Sequence, residues 1–221
     1  MLLLPNHCCL ALLLMQRLKA DAMYPVVLTN LAQQRCVVVG GGTVAERKVA
    51  GLIAGGAIPI VISPDLTAQL QHWQANSQIQ HLARTYQTGD CDQAFLVVAA
   101  TNQRSINQQI AQECHNRPIL LNIADAAEEG NFITTASHRQ GSLLFSVSSS
   151  GASPALSRYL RQQLSSYFDQ RYATLAQVVA SQRSQLASLS SAEREHYFDQ
   201  LLAALAEEPT ARPNHLPTED L

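Results

Sequence analysis

The amino-acid sequence predicts an α/β fold: a mostly parallel sheet with helices on both faces, followed by a strand pair and a helical C-terminal region. Three observations carry that reading. Arg35-Cys-Val-Val-Val-Gly-Gly-Gly-Thr-Val-Ala-Glu-Arg-Lys48 runs from a short β-branched segment through three glycines into a helix former. Apolar strand-like runs then alternate with helix-like segments as far as Ile123, the pattern of a parallel sheet with crossover helices. After Asn131 that rhythm stops, and two strand-like runs precede a long helical stretch.

The elements follow in order. Cys36 to Val39 reads as a strand, Val44 to about Ile53 as a helix, and Ala57 to Ile62 as a second strand. Pro64 to Trp73 reads as a helix, Ile79 to Ala83 as a short strand, and Phe95 to Ala99 as a fully apolar one. Ser105 to Cys114 is expected to be helical and Pro118 to Ile123 extended. Beyond the sheet, Phe132 to Ala136 and Ser142 to Val147 read as strands, with a turn at Arg139-Gln-Gly141 between them. Ser153 is placed to cap a helix and Pro154 to occupy its first turn. Leu156, Leu160, Leu164, Phe168 and Tyr172 follow at four-residue spacing, a stripe suited to a core or a dimer seam. Ser190 with Glu193 makes a capping box for a last helix through Leu205, and the tail from Pro209 reads as flexible.

Composition narrows the function. The 221 residues carry a net charge of −2 and only 14% charged side chains, which argues against a nucleic-acid-binding face. The five cysteines form no C-x-x-C pair, so no disulfide framework or structural zinc is expected and a reducing cytoplasm is. Residues 1–22 hold an apolar run interrupted by Pro5, Asn6 and His7, too short to span a bilayer. Its first cations, Arg17 and Lys19, come after that run, the reverse of an export signal. The expectation is an overlong start with Met23 the natural beginning, a cleaved export signal being the alternative, and no membrane association.

Gly40, Gly42 and Ala45 fit G-x-G-x-x-A, with Gly41 as an extra small residue. That spacing suits a pyrophosphate at a helix N-terminus, because one glycine turns the chain and the next lets backbone N–H groups approach phosphate. The strand before and the helix after supply the Rossmann-like context the motif requires. Ligands of such sheets lie at the carboxyl ends of the strands, which selects Ser63, Pro64 and Asp65, then Ala100, Thr101 and Asn102, then Asn122 to Asp125. The usual ribose-binding acid would stand at the end of the second strand, where Ser63 is found and Asp65 is displaced by two, so NAD and NADP both remain open. Asp125 is a candidate base at a strand's carboxyl end, or else a turn cap. Ser148 and Ser149 could bond a substrate carboxylate near the helix start, or serve only as turn and cap. Arg139, Arg158 and Arg161 could meet substrate carboxylates but read first as surface residues, and His138 reads as a solvated loop histidine.

Five blocks resemble the precorrin-2 dehydrogenase family: Val39 to Lys48, Ala99-Ala-Thr-Asn102, Asn122-Ile-Ala-Asp125, Asn131-Phe-Ile133 and Val147 to Pro154. The likeness runs from about Tyr24 to Leu164. It implies NAD-dependent oxidation of precorrin-2 to sirohydrochlorin and, in some members, insertion of ferrous iron to give siroheme. It implies a homodimer in which a dimerisation segment after the sheet domain helps build the cleft. It assigns nucleotide contacts to Thr43, Val44, Pro64 and Asp65, the catalytic role to Asp125, and a phosphorylation site to Ser149. No dedicated metal site is implied; Asp125 would serve the metal if the chain is a chelatase. The family often has paired glycines where this chain has Ser150-Gly151, and no methyltransferase portion is expected after the helices.

The organisation expected is therefore an extension over 1–22, an NAD-binding domain over 23–130, a dimerisation segment over 131–165, helices over 166–208 and a tail over 209–221. A non-catalytic module that senses NAD and regulates a partner is the alternative function; it requires the glycine turn but no reactive cleft.

Overall fold

The computed structural model describes residues 23–207, so the expectations for 1–22 and 209–221 lie outside the described residues. The chain divides into two compact units, Tyr24–Thr134 and a second beginning at Thr135. The first is a five-stranded parallel sheet of β1 (Cys36–Val39), β2 (Ile60–Ile62), β3 (Gln80–Leu82), β4 (Leu96–Ala99) and β5 (Leu120–Ile123), in the order β3-β2-β1-β4-β5. The helices are α1 (Thr43–Ala54), α2 (Ala68–Ala75) and α3 (Arg104–Cys114).

Every residue of β1 and β4 is buried, as continuous apolar runs covered on both faces should be. Val38, Val61 and Val98 pack with Ala45, Val49 and Leu52 of α1 and Leu70 of α2 on one face. Val37, Val39 and Val97 pack with Ile110 and Cys114 of α3 on the other. Each such Val or Ile removed from water contributes about 1.5–3 kcal/mol, which is what holds the sheet between its helices.

The loop after β3 is tied in place by two carboxylates. Arg84 makes a bidentate pair with Asp90, at 2.8 and 2.6 Å, and Gln87 N donates to the same carboxylate at 2.8 Å. The Arg84 hydrogen bond holds the Asp90 carboxyl below the usual range. Glu113 accepts from Tyr86 Oη, Gly89 N and Cys91 N, and its side chain is only 5% exposed. Burial, then the Glu113 contact, pushes the Tyr86 phenol well above its ordinary value.

At the other edge, β5 is finished by a side chain. Asn131 Oδ1 accepts from Leu121 N and Asn131 Nδ2 donates to Ile119 O, both at 2.7 Å, while Asn131 N donates to Leu121 O at 2.9 Å. A Cβ on Gly130 would stand 2.5 Å from Leu121 O, so only glycine lets the chain pass this close.

The second unit holds the antiparallel hairpin β6 (Ala136–Gln140) and β7 (Leu143–Val147), then α4 (Pro154–Tyr167), α5 (Gln170–Ser181), α6 (Arg183–Ser188) and α7 (Ser191–Glu207). Burial alternates along both strands, the period-two pattern of a hairpin with one covered face. Ser153 caps α4 by accepting from Leu156 N, with Pro154 in the first turn. Glu193 Oε2 accepts from Ser190 N at 2.8 Å while Ser190 Oγ accepts from Glu193 N at 3.3 Å, which closes the expected capping box.

Several boundaries differ from expectation. The first strand of the hairpin lies over 136–140 rather than 132–136, because Asn131 and Phe132 are occupied at the β5 edge and Phe132 packs on the sheet core. The second helix starts at Ala68 rather than Pro64, since the Thr67 hydroxyl caps it by accepting from Leu70 N at 3.3 Å. The five-residue stripe does not share one helix. Asp169 Oδ1 accepts from Arg171 N and starts α5, so α4 stops at Tyr167. Phe168 instead stacks on Phe145, with centroids 4.3 Å apart, and meets Tyr172 edge-on at 5.0 Å.

Candidate functional site

A cavity of ≈ 680 Å³ opens at the carboxyl ends of the strands, within the size range of small-molecule sites. Its wall brings together Gly40, Gly41, Gly42, Thr43 and Val44 after β1, Ser63, Pro64 and Asp65 after β2, Thr101 and Asn102 after β4, and Asp125 after β5. Thr85, Tyr86, Leu66, Thr67, Gln103 and Ile106 also line it.

The three glycines do different work. Gly40 has φ +121°, and a Cβ there would meet Ala100 O at 2.4 Å. Gly41, expected as an extra small residue and among the cofactor-binding ones, is sterically the tightest: its Cβ would fall 1.9 Å from Asp65 O. Its carbonyl accepts from Thr67 N at 3.0 Å, fastening the β2 loop to the glycine turn. A Cβ on Gly42 would meet no protein atom within 4 Å, so its bareness keeps the cavity open rather than the protein unstrained. Gly42 is the N-cap of α1, which has no side-chain cap, and the first helical bond is Glu46 N to Gly42 O at 2.9 Å. The backbone N–H groups ahead of Glu46 therefore lack helical acceptors and face a site suited to phosphate.

Thr67 Oγ1 donates to Glu46 Oε2 at 2.6 Å, locking α1 to the β2 loop. Ser63 is buried, its carbonyl bonded to His81 Nε2 at 2.9 Å. Among the residues lining the cavity the only charged groups are the carboxylates of Asp65 and Asp125; no Lys or Arg lines it. On the helix side, Lys48 donates to Thr134 Oγ1 at 2.7 Å, and burial, with Arg47 beside it, holds its ammonium below the ordinary lysine value.

Asp125 sits in the turn after β5 with its side chain 41% exposed. Asp125 Oδ1 accepts from Asn107 Nδ2 at 3.0 Å and lies 3.7 Å from Arg104 Nη1. Arg104 is also paired with Glu129. The 3-10 turn that follows, Ala127–Glu129, has no side-chain cap, so Asp125 does not serve as its capping residue. Asn107, Arg104, Tyr86 and Thr67 were not singled out by sequence. The available signal for Asn107 was its place three and seven residues before Ile110 and Cys114, on the apolar face of α3.

Ser148 and Ser149 lie in the second unit, before α4. Ser149 Oγ donates to Ser153 O at 3.0 Å and accepts from Ser153 N at 2.9 Å, and Ser157 Oγ reaches it at 3.1 Å. Ser148 Oγ accepts from Ser150 N at 3.1 Å. Ser150 has φ +53° and Gly151 φ +82°, so the left-handed turn that paired glycines would make freely is kept here by a serine. Arg139 and Arg158 are exposed and Arg161 is half-buried. His138 is half-buried in β6, where its ring stacks on Phe145, not in a solvated loop.

A Rossmann-like sheet, a glycine turn at an uncapped helix and an open cavity define a dinucleotide-binding α/β protein. Residues 27–136 match the family model described as "Putative NAD(P)-binding". The chain is 33% identical to the precorrin-2 dehydrogenase of Priestia megaterium over 70% of its own length and 76% of that protein. It is 37% identical to the siroheme synthase of Nitrosococcus oceani over 74% of its length, and 33% identical to that of Xylella fastidiosa over 90%. It spans only 35% and 42% of those two longer proteins. Among solved structures, the one titled "SirC, precorrin-2 dehydrogenase" superposes with a TM-score of 0.68 at 28% identity, covering 81% of this chain and 89% of that one. The chain belongs to the precorrin-2 dehydrogenase family.

Proposed function

We propose that the chain oxidises precorrin-2 to sirohydrochlorin in siroheme biosynthesis, with NAD as the oxidant. The observation that carries this is one cavity wall holding both the uncapped start of α1 and the carboxylate of Asp125. NAD, when bound, accepts the hydride that leaves the macrocycle. The N–H groups of Thr43 and Val44 would receive its diphosphate, and Pro64 and Asp65 would border its adenosine ribose. Asp65, with no cation lining the cavity, favours a free 2′-hydroxyl over a 2′-phosphate. Asp125 would take the proton that departs with the hydride, as a general base.

Purified protein mixed with precorrin-2 and NAD should produce NADH absorbance. Asp125→Ala should lower kcat by on the order of 10²–10⁴-fold while the NAD Kd stays within about twofold. Saturable NAD binding with no NADH from the unaltered protein would favour the sensing module instead. The longer relatives named siroheme synthase support a second step, insertion of ferrous iron into sirohydrochlorin with Asp125 assisting; appearance of siroheme in the same assay reads it out.

The functional unit proposed is a homodimer. Leu156, Tyr159, Leu160 and Tyr167 of α4 are exposed, and an apolar cavity of ≈ 630 Å³ lies between Phe145, Phe168, Tyr172 and Val179. A cytoplasmic, reducing location suits the free thiols of Cys36, Cys91 and Cys114. Ser148 and Ser149 are proposed to meet substrate carboxylates. Phosphorylation of Ser149 would add about −1.5 to −2 charge and remove the donor to Ser153 O, so modified protein should bind substrate more weakly in a direct titration.

A further inference from the structure

Asn107 is wholly buried on α3, a helix whose other inward residues are apolar, and all four of its side-chain bonds are made. Asn107 Oδ1 accepts from Thr101 N at 3.3 Å and Thr101 Oγ1 at 2.7 Å. Asn107 Nδ2 donates to Thr101 O at 3.2 Å and to Asp125 Oδ1 at 3.0 Å. Three bonds thus seize the loop after β4, and the fourth reaches across to the turn after β5. An amide with both faces used cannot rotate without losing bonds in a buried place, each worth about 1–3 kcal/mol when left unmade.

We infer that Asn107 is a positioning residue for Asp125. The inference rests on the reading of Asp125 as the base. Arg104 Nη1 stands on the same Oδ1 at 3.7 Å, so one oxygen is held from two sides. Asp125 Oδ2 has no hydrogen bond among the described residues and is left to act on the substrate. A glutamine would overreach by a methylene and an apolar residue would orphan Thr101, which is why the site takes an asparagine and no larger amide.

Asn107→Asp keeps the acceptor for Thr101 N and Thr101 Oγ1 and removes the Nδ2 donor to Asp125, together with its weaker bond to Thr101 O. It should lower kcat by on the order of ten- to a hundredfold, the scale of a misplaced catalytic group, with the NAD Kd within about twofold. In an Asp125→Asn background the same change should alter the residual kcat by less than about twofold, because there is no base left to aim. Independent losses that multiply in the double variant would overturn the inference. Should Asn107→Asp fail to fold, the assigned side-chain amide signal of Asn107 in nitrogen-15-labelled protein decides. It should move on Asp125→Ala, an exposed substitution that removes the acceptor, and a signal that stays put would overturn the pairing. If unaltered protein makes no NADH from precorrin-2, the assigned reaction falls, while the amide measurement still decides the Asn107–Asp125 bond.

Discussion

The two units of the chain handle apolar surface in opposite ways. In the sheet unit Val37, Val38, Val39, Val97 and Val98 are at most 2% exposed, and two clusters cover both faces. From Thr135 onward, Ala173, Leu186 and Ser157 are the only buried residues among those described, while Leu144, Leu156, Leu160, Tyr167 and Leu202 stand exposed. One unit closes its core from its own sequence. The other leaves large apolar side chains exposed, the surface on which the proposed dimer would form.

The sharpest way to break the contrast is at the glycine turn. Gly40→Ala forces a side chain into φ +121° and against Ala100 O, so it should cost the sheet unit about 3 kcal/mol and lower NAD affinity by on the order of a hundredfold. Denaturant melts and cofactor titration measure both. On the other side of the contrast, the proposed dimer predicts that Leu156→Glu with Leu160→Glu shifts sedimentation from dimer to monomer. Because both side chains are exposed within the protomer, its own stability should change by less than about 0.5 kcal/mol. A variant that sediments unchanged would move the partner surface elsewhere.

A smaller effect probes the sheet unit's loop. Asp90→Asn removes a bidentate arginine partner and should cost about 1–2 kcal/mol at pH 7. The carboxyl is depressed in the folded state, so its stabilisation is present above the ordinary value of about 3.9 and disappears as pH falls through the folded one. Wild-type and variant melts should therefore converge below about pH 4, and parallel curves would contradict the pairing. Smallest is Ser150→Gly in the second unit, which should raise stability by about 0.5 kcal/mol by relieving a left-handed serine.

What could be read in advance follows the same division. The buried strands were legible because a run such as Val37-Val38-Val39, apolar at every position, suits a strand covered on both faces. The glycine turn was legible because backbone geometry leaves few alternatives there. Phe132 misled because an apolar residue after a polar stretch looks like a strand start, whereas here it is an anchor onto the core. The stripe from Leu156 to Tyr172 misled because Asp169 acts as a helix start only once the chain has turned at Phe168. At the site, Asn107 escaped notice because its spacing from Ile110 and Cys114 puts it on the inward face without showing which groups on two loops its amide would meet.

The way Asn131 finishes β5 bears on how the two halves of this chain can be separated. Its amide stands in for a sixth strand, using the free N–H of Leu121 and the free carbonyl of Ile119. A fragment cut at Glu129 would leave that border raw, inviting foreign strands to add themselves by augmentation. Anyone excising the nucleotide half should cut beyond Phe132, because the segment that leaves the sheet is also its hem.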